Sequence, residues 1–97
     1  MAFVCHATWT VKDGNLDAVL EALGQVAPPS RAEPGIRLYQ PYRDPAKPDV
    51  IHLFEVYDDE AAFASHAESA HFQKWVIGTV VPLLDDRVRV FYETIDA

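Results

Sequence analysis

The sequence feature that most constrains the fold is the alternating segment at residues 3–11, which carries apolar groups on both of its faces. Side chains that alternate with a period of two indicate a β-strand, and apolar groups on both sides indicate a sheet that is covered on both sides. The two faces are Phe3, Cys5, Ala7, Trp9 and, opposite them, Val4, His6, Thr8.

A helix is predicted to follow this strand, after the turn at residues 13–15. Asn15 can cap the helix, and Asp17 lies in the first turn, where a negative charge is favourable. Apolar residues then recur at helical spacing: Leu16, Val19, Leu20, Leu23. We expect the helix to end near Val26, because the Pro28-Pro29 pair lacks the amide donors that a continuing helix needs.

Three further strands are predicted, at residues 36–42, 50–57 and 86–95. The polar, proline-containing stretch at residues 43–49 reads as a hairpin-like loop between the first two of them. In the last strand Val88, Val90 and Tyr92 alternate against Arg89, Phe91 and Glu93.

Two helical stretches separate the third strand from the last. Asp58 can cap the first of them, which we expect to continue to about Ser69. The second is predicted from His71 to Val81 and ends at Pro82. The resulting order, β-α-β-β-α-β, is the ferredoxin-like unit, an α+β fold in which both helices pack on one face of a four-stranded antiparallel sheet.

The length of 97 residues predicts a single domain covering residues 1–97. The helices cover only one face of its sheet, so a second copy of the chain is the simplest cover for the other, and we expect a homodimer. A net charge of −7 disfavours a nucleic-acid partner, and no apolar run is long enough to span a membrane. The start of the chain lacks the pattern of a secretory signal, which predicts a cytoplasmic protein.

A set of residues spread along the chain carries a resemblance to a known family. They are Glu33-Pro34-Gly35, Tyr39, Phe54-Glu55-x-Tyr57-x-Asp59, Ala62, His66, Ser69, His71 and Phe72. This pattern resembles the antibiotic biosynthesis monooxygenase (ABM) domain over essentially the whole chain. The resemblance implies a dimeric α+β barrel in which two sheets face each other, with a substrate pocket between each sheet and its own helices.

The resemblance also implies a range of activities. Some relatives are quinone-forming oxygenases, which oxidise phenols or hydroquinones with O₂ and need no flavin, haem or metal. Other relatives degrade haem, and some have no established activity. The expectation for this chain is therefore a monooxygenase that binds a small aromatic substrate and O₂ without a cofactor.

Two histidines are the candidate catalytic residues. His6 stands where haem-degrading relatives carry a ligand-contacting asparagine, and His66 where they carry a ligand-stacking tryptophan. The ordinary pKa of an imidazole suits the removal of a phenolic proton at neutral pH. The alternatives are a buried, satisfied histidine at position 6 and a helix-packing residue at position 66.

Aromatic and apolar residues are the candidates for substrate binding: Leu53, Tyr57, Phe63, Phe72, Trp75. The resemblance aligns Tyr57 with a position at which quinone-forming relatives carry a tryptophan in the pocket. Phe63 lies three residues before His66, so both side chains share one helix face. Each of these residues could instead be ordinary core. Glu55 shares a strand face with Tyr57, and its buried carboxylate is expected to be paired with Arg37 or Arg89.

Departures from the family pattern keep other functions open. Leu53 and Phe63 replace an asparagine and a tyrosine of a quinone-forming relative, and Val76 replaces the iron-ligating histidine of the haem-degrading relatives. Haem degradation is disfavoured for this reason. A non-oxidative ligand-binding or cyclase-like protein, or a structural dimer with a filled pocket, remains an alternative to the monooxygenase.

No metal site is predicted. Cys5 is the only cysteine, which excludes a multi-cysteine zinc site, and its simplest interpretation is a small buried residue in a strand. His71 lies five residues after His66, about 140° further round an ideal helix, so the two are not expected to share a ligand. His52 falls on the strand face opposite Leu53 and is supported by no motif.

Overall fold

The structure is a computed structural model that describes residues 1–97, and its centre is a four-stranded sheet. The strands are β1 (Phe3–Val11), β2 (Ile36–Tyr42), β3 (Val50–Tyr57) and β4 (Leu84–Glu93). They are antiparallel and lie in the order β2-β3-β1-β4. Cys5 of β1 lies opposite Glu55 of β3 on one side and Phe91 of β4 on the other.

Three helices cover one face of this sheet. They are α1 (Leu16–Arg31), α2 (Glu60–Glu68) and α3 (Phe72–Val80), and α3 has π-helical winding. A short 3₁₀ turn, Val81–Leu83, connects α3 to β4. The predicted β-α-β-β-α-β ferredoxin-like arrangement is therefore confirmed. No helix is both long and apolar enough to cross a bilayer.

The prediction that α1 ends near Val26 is wrong, because the helix continues through Pro28 and Pro29 to Arg31. Two amide donors are missing there, but the Ser30 hydroxyl donates to the Val26 carbonyl at 2.6 Å. Burial also favours the extra turn, since Val26 and Ser30 are both fully buried. Packing against the sheet outweighs the local preference of proline.

Smaller differences concern the helix and strand ends. Asp59, rather than Asp58, caps α2, because its carboxylate accepts the backbone N–H of Ala62 at 2.9 Å. Asn15 occupies the N-cap of α1 as expected, but its side chain makes no capping bond and donates to the Asp13 carbonyl instead. β4 begins at Leu84, two positions before the predicted start.

The main core lies between the helices and the sheet, and the predicted alternation of β1 decides which residues enter it. Cys5, Ala7 and Trp9 point toward the helices and are almost fully buried. The opposite face of the sheet has no helix over it. Large apolar residues of the other three strands are exposed there: Leu38, Phe54, Val88, Val90, Tyr92.

The two edges of the sheet are β2 and β4. β2 contains Pro41, which lies opposite Leu53 of β3. β4 carries Arg87 and Arg89 on its helix-facing side, between exposed valines on the other side. The proline in β2 and the arginines in β4 thus interrupt the apolar pattern of the two edge strands.

Candidate active site

A small, partly open cavity lies between the sheet and the helices α2 and α3. Its volume is about 20 Å³, close to the room that one water molecule needs. The apolar part of its wall includes Phe63 of α2 and Phe72 of α3. The polar part comes from the sheet and from α2: Cys5, Tyr39, Glu55, His66, Arg87, Arg89.

Glu55 is a buried carboxylate in the cavity wall. Two positions further along β3, and therefore on the same face, the Tyr57 hydroxyl donates to Glu55 Oε1 at 2.5 Å. Burial raises the pKa of Glu55 to about 7, and the Tyr57 hydrogen bond together with the charges of Arg87 and Arg89 limits the rise. At neutral pH this group can therefore either give or accept a proton.

His66 and His71 share one acceptor. His66 Nδ1 lies 2.7 Å and His71 Nε2 lies 2.8 Å from the same oxygen, Glu33 Oε2. The His66 side chain is 2% exposed, and its burial lowers its pKa, although the hydrogen bond and the charge of Glu33 oppose that change. A neutral His66 that donates from Nδ1 keeps a lone pair on Nε2, which has no hydrogen-bond partner in the chain.

A break in the helix brings these three residues together. α2 stops at Ser69, which has an extended backbone, and helical winding resumes at Ala70, so that His71 lies in the turn that leads into α3. The Ser69 hydroxyl donates to the His66 carbonyl at 2.7 Å and accepts the backbone N–H of Phe72 at 3.2 Å. These two bonds hold the ends of α2 and α3 close to each other.

Glu33 reaches the histidines because its turn packs directly on α2. A Cβ atom placed on Gly35 would lie only 2.6 Å from the Cβ of Ala62, a distance that atoms do not tolerate. Only glycine therefore allows the turn to approach this closely. The glycine of the Glu33-Pro34-Gly35 segment thus allows the Glu33 carboxylate to lie beside the end of α2.

The expectation that His66 and His71 point apart is therefore wrong. The angle of about 140° assumed one continuous helix, whereas the chain changes direction at Ser69. The rings lie 5.9 Å apart, centre to centre, and the ligand-capable atoms of Glu33, His66 and His71 lie within 4.8 Å of one another. The geometric argument against a shared ligand does not hold.

The two arginines of β4 give the cavity a positive side. Arg87 Nε is buried without a hydrogen-bond partner, and burial next to Arg89 lowers the pKa of Arg87. Their charges act on Glu55 from a distance, but neither forms an ion pair with it, and its hydrogen-bond partner is Tyr57 rather than the expected Arg89. Arg37, the other expected partner, pairs instead with Asp58 at the surface, at 2.7 Å.

Comparison with protein families identifies the architecture. Residues 2–77 match the family model described as antibiotic biosynthesis monooxygenase. The chain belongs to the antibiotic biosynthesis monooxygenase family. A search of curated proteins finds no significant match.

Solved structures of similar size have the same fold. A structure from Nitrosomonas europaea, described provisionally as an antibiotic biosynthesis monooxygenase, has 26% sequence identity and a TM-score of 0.92, over 97% of this chain and 99% of that chain. PA3566 from Pseudomonas aeruginosa has 25% identity and a TM-score of 0.89, over 98% and 95%. SO0527 from Shewanella oneidensis has 27% identity and a TM-score of 0.86, over 94% and 88%.

Within this ABM fold, the two candidate catalytic histidines lie on opposite faces of the sheet. His66 lines the cavity, but His6 points to the open face, where Nε2 hydrogen-bonds with the Tyr42 hydroxyl. His52 completes that group, since its ring stacks on Tyr42 at 5.2 Å and its Nδ1 lies 3.2 Å from Thr8 Oγ1. The structure therefore does not support a shared pocket for His6 and His66. The odd-numbered residues of β1 face the helices, so the side chain of His6 faces away from them.

The candidate substrate-binding residues are divided between cavity wall and core. Phe63 and Phe72 line the cavity, and Phe72 meets the His66 ring edge-on at 5.1 Å. Tyr57 is fully buried and does not line the cavity, but it bonds to Glu55 and its ring packs on Phe63 and His66 at 5.4 Å and 5.8 Å. Leu53 is wholly within the core, and Trp75 packs beside the core with Lys74 over its ring, so neither forms part of the cavity wall.

Sequence reasoning assigned no site role to Glu33 or to Arg87. Glu33 is 33 positions from His66 in the chain, and no local pattern joins them. A signal for the arginine was present, because alternation along β4 places Arg87 on the same side as Arg89 and opposite the valines.

Proposed function

We propose that this ABM-family protein is a cofactor-independent monooxygenase that oxidises a small phenol or hydroquinone-type aromatic with O₂. The observation that carries the proposal is the hydrogen-bonded pair of Glu33 and His66 beside a cavity with aromatic walls. The reaction converts a phenol and one O₂ into a quinone and one water. One oxygen atom enters the ring and the other leaves as water, and the substrate supplies all the electrons.

In this proposal His66 is the general base. The Glu33 carboxylate accepts the Nδ1–H at 2.7 Å, which fixes the tautomer and leaves the Nε2 lone pair for the phenolic proton. The resulting phenolate is electron-rich enough to reduce O₂ directly. Arg87 and Arg89 lie in the same wall and favour the negative charge of the phenolate.

Binding of an aromatic ring requires the cavity to expand. Its present volume of about 20 Å³ holds about one water molecule. Phe63 and Phe72 are the part of the cavity wall that can move, because both side chains are only half-buried. We propose that outward movement of these two rings admits the substrate. The π-helical winding of α3, which begins at Phe72, is a feature that often occurs at functional sites.

The test is oxygen uptake by the purified protein with a panel of hydroquinones and anthrols. We expect His66→Ala to reduce the rate by about 10²- to 10⁴-fold, the usual contribution of a positioned base. His52→Ala is the matched control, because His52 lies on the other face of the sheet. An oxidation rate that His66→Ala leaves unchanged would remove His66 from the reaction.

We also propose that the protein is a homodimer in which the open sheet faces of two copies meet. The support is the row of exposed apolar side chains on this face, among them Phe54, Val88 and Val90, each 38–45% exposed. Burial of apolar surface at about 25 cal/mol per Å² is the driving force for such an association. His6, Tyr42 and His52 lie on the same face and would become part of the interface.

The small cavity favours one alternative, a structural dimer without activity. A filled pocket is what that alternative requires, and the cavity beside His66 leaves little free room. Ligand binding separates the two proposals. Saturable binding of a phenol under nitrogen, lost in a Phe63→Trp variant that fills the cavity, would exclude the purely structural role.

A further inference from the structure

We propose that Glu33, His66 and His71 form a binding site for a divalent transition-metal ion such as Zn²⁺. Glu33 Oε2, His66 Nδ1 and His71 Nε2 lie within 4.8 Å of one another. They come from three different segments of the chain: the turn after α1, the last part of α2, and the junction before α3. Two imidazoles and one carboxylate are a ligand set that Zn²⁺ takes in proteins.

The geometry requires only a small adjustment. Zn–N and Zn–O bonds of about 2.0–2.2 Å at tetrahedral angles place two donors of one ion about 3.3–3.6 Å apart. His66 Nδ1 and His71 Nε2 now lie 2.7 Å and 2.8 Å from Glu33 Oε2, so each has to move away from that oxygen by about 0.5–0.9 Å. Side-chain rotation of Glu33 and His71 can supply this movement, because these side chains are 19% and 20% exposed.

Access from solvent also suits a cation. The side chains of Glu33 and His71 are 19% and 20% exposed, so an ion can enter from solvent without crossing the core. The metal would replace the two protons that now bridge the imidazoles to Glu33, and water would complete its coordination.

Metal binding has a consequence for the proposed oxidation, and this part of the inference rests on the proposed function. A metal on His66 Nδ1 forces the neutral ring to carry its proton on Nε2. The lone pair that would accept the phenolic proton is then absent. Zn²⁺ would therefore inhibit the oxidation by occupying the base rather than by blocking the cavity.

The binding test is calorimetric titration of the chelator-treated full chain with ZnCl₂. We expect one ion per chain, with binding weakened by at least about 100-fold in His71→Ala and in Glu33→Gln, since loss of even an outer-sphere partner costs about 10- to 100-fold. His52→Ala should bind as the unmodified chain does. Absence of Zn²⁺ binding, or equal binding by His71→Ala, would overturn the site.

A second readout guards against unfolded variants. Co²⁺ added to the unmodified chain should give the visible absorption of a tetrahedral or five-coordinate site, and Zn²⁺ should abolish it by displacement. No visible band, with His71→Ala folded by circular dichroism, would also overturn the site. If Zn²⁺ binds at these residues but leaves oxygen uptake unchanged, the metal site stands and the base role of His66 fails.

Discussion

The Tyr57 hydroxyl donates to Glu55 Oε1 at 2.5 Å, and both side chains are buried on the helix-facing side of the same strand. Glu55 can thus be ionised at neutral pH although it lies in the protein interior. The ionisation of Glu55 is balanced between opposing effects, because desolvation disfavours the negative charge, whereas the Tyr57 hydroxyl and the arginines favour it. A change to either partner should therefore alter the stability of the protein in a pH-dependent way.

The free energy of unfolding of Glu55→Gln, compared with that of the unmodified chain at the same pH, should be larger at high pH than at low pH. The folded-state pKa of Glu55 is raised from 4.5 to about 7, so the native state holds this proton more tightly than the unfolded state does. Its contribution to stability is fully present below pH 4.5 and is lost as the pH rises to 7. Glutamine mimics the protonated form. Urea unfolding at pH 4.5 and pH 8 measures the difference, and a variant equally less stable at both values would contradict it.

Tyr57→Phe should cost more stability at pH 8 than at pH 4.5. The lost hydrogen bond is to a carboxylate at the higher pH, where such bonds contribute about 1.5–3 kcal/mol, and to a neutral acid at the lower pH, where about 0.5–1.5 kcal/mol is typical. The pKa of Glu55 should also rise above about 7, because the hydroxyl now lowers it. NMR titration of the Glu55 carboxyl carbon gives this shift directly. A pKa that stays or falls would show that the hydroxyl does not favour the ionised form.

Gly35→Ala should destabilise the fold by about 1–3 kcal/mol, the usual cost of forced overpacking. The added methyl would lie 2.6 Å from the Ala62 Cβ, so the turn that carries Glu33 must move away from α2. Gly24→Ala is the matched control, because a methyl group added there would have nothing within 4 Å and the site is inside α1. That control should stabilise by about 0.5–1 kcal/mol. Equal effects of the two changes in chemical denaturation would argue against close packing at Gly35.

Val90→Lys should convert the proposed dimer to a monomer. Val90 lies opposite His6 near the middle of the open sheet face, where a lysine of each copy would be buried at the interface. Ile77→Lys is the control, since Ile77 is similarly exposed but lies on α3, away from the open face. Light scattering after size-exclusion chromatography gives the mass of each variant. Dimeric Val90→Lys protein would place the association surface elsewhere.

The strand faces were predictable because alternation is a property of the extended chain itself. Positions such as Cys5 and His6 were therefore separated onto opposite faces of the sheet from the sequence alone, but alternation did not show which face the helices cover, and His6 was placed in the pocket. The site was less accessible to prediction. The end of α2 near Ser69 was predicted, but the meeting of Glu33 with His66 and His71 joins residues 33 and 38 positions apart, and no local pattern records such a contact.

Tertiary packing overrode local preference at one further point. Pro28 and Pro29 indicate a helix end on local grounds, and yet α1 continues to Arg31. The additional turn has its own contact with the sheet, because Arg31 Nη2 donates to the Tyr39 carbonyl at 2.9 Å. A contact of this kind between distant segments leaves no local trace in the sequence.

Pro41 in the edge strand β2 also bears on how the protein avoids uncontrolled self-assembly. Proline offers no N–H, so this edge is a poor template for an added strand, and the charged Arg87 and Arg89 disfavour stacking at the other edge. Growth of the sheet sideways into fibrils is thereby discouraged at both ends. A contact through the open face, in contrast, closes after two copies, because neither copy then has a second such face to offer.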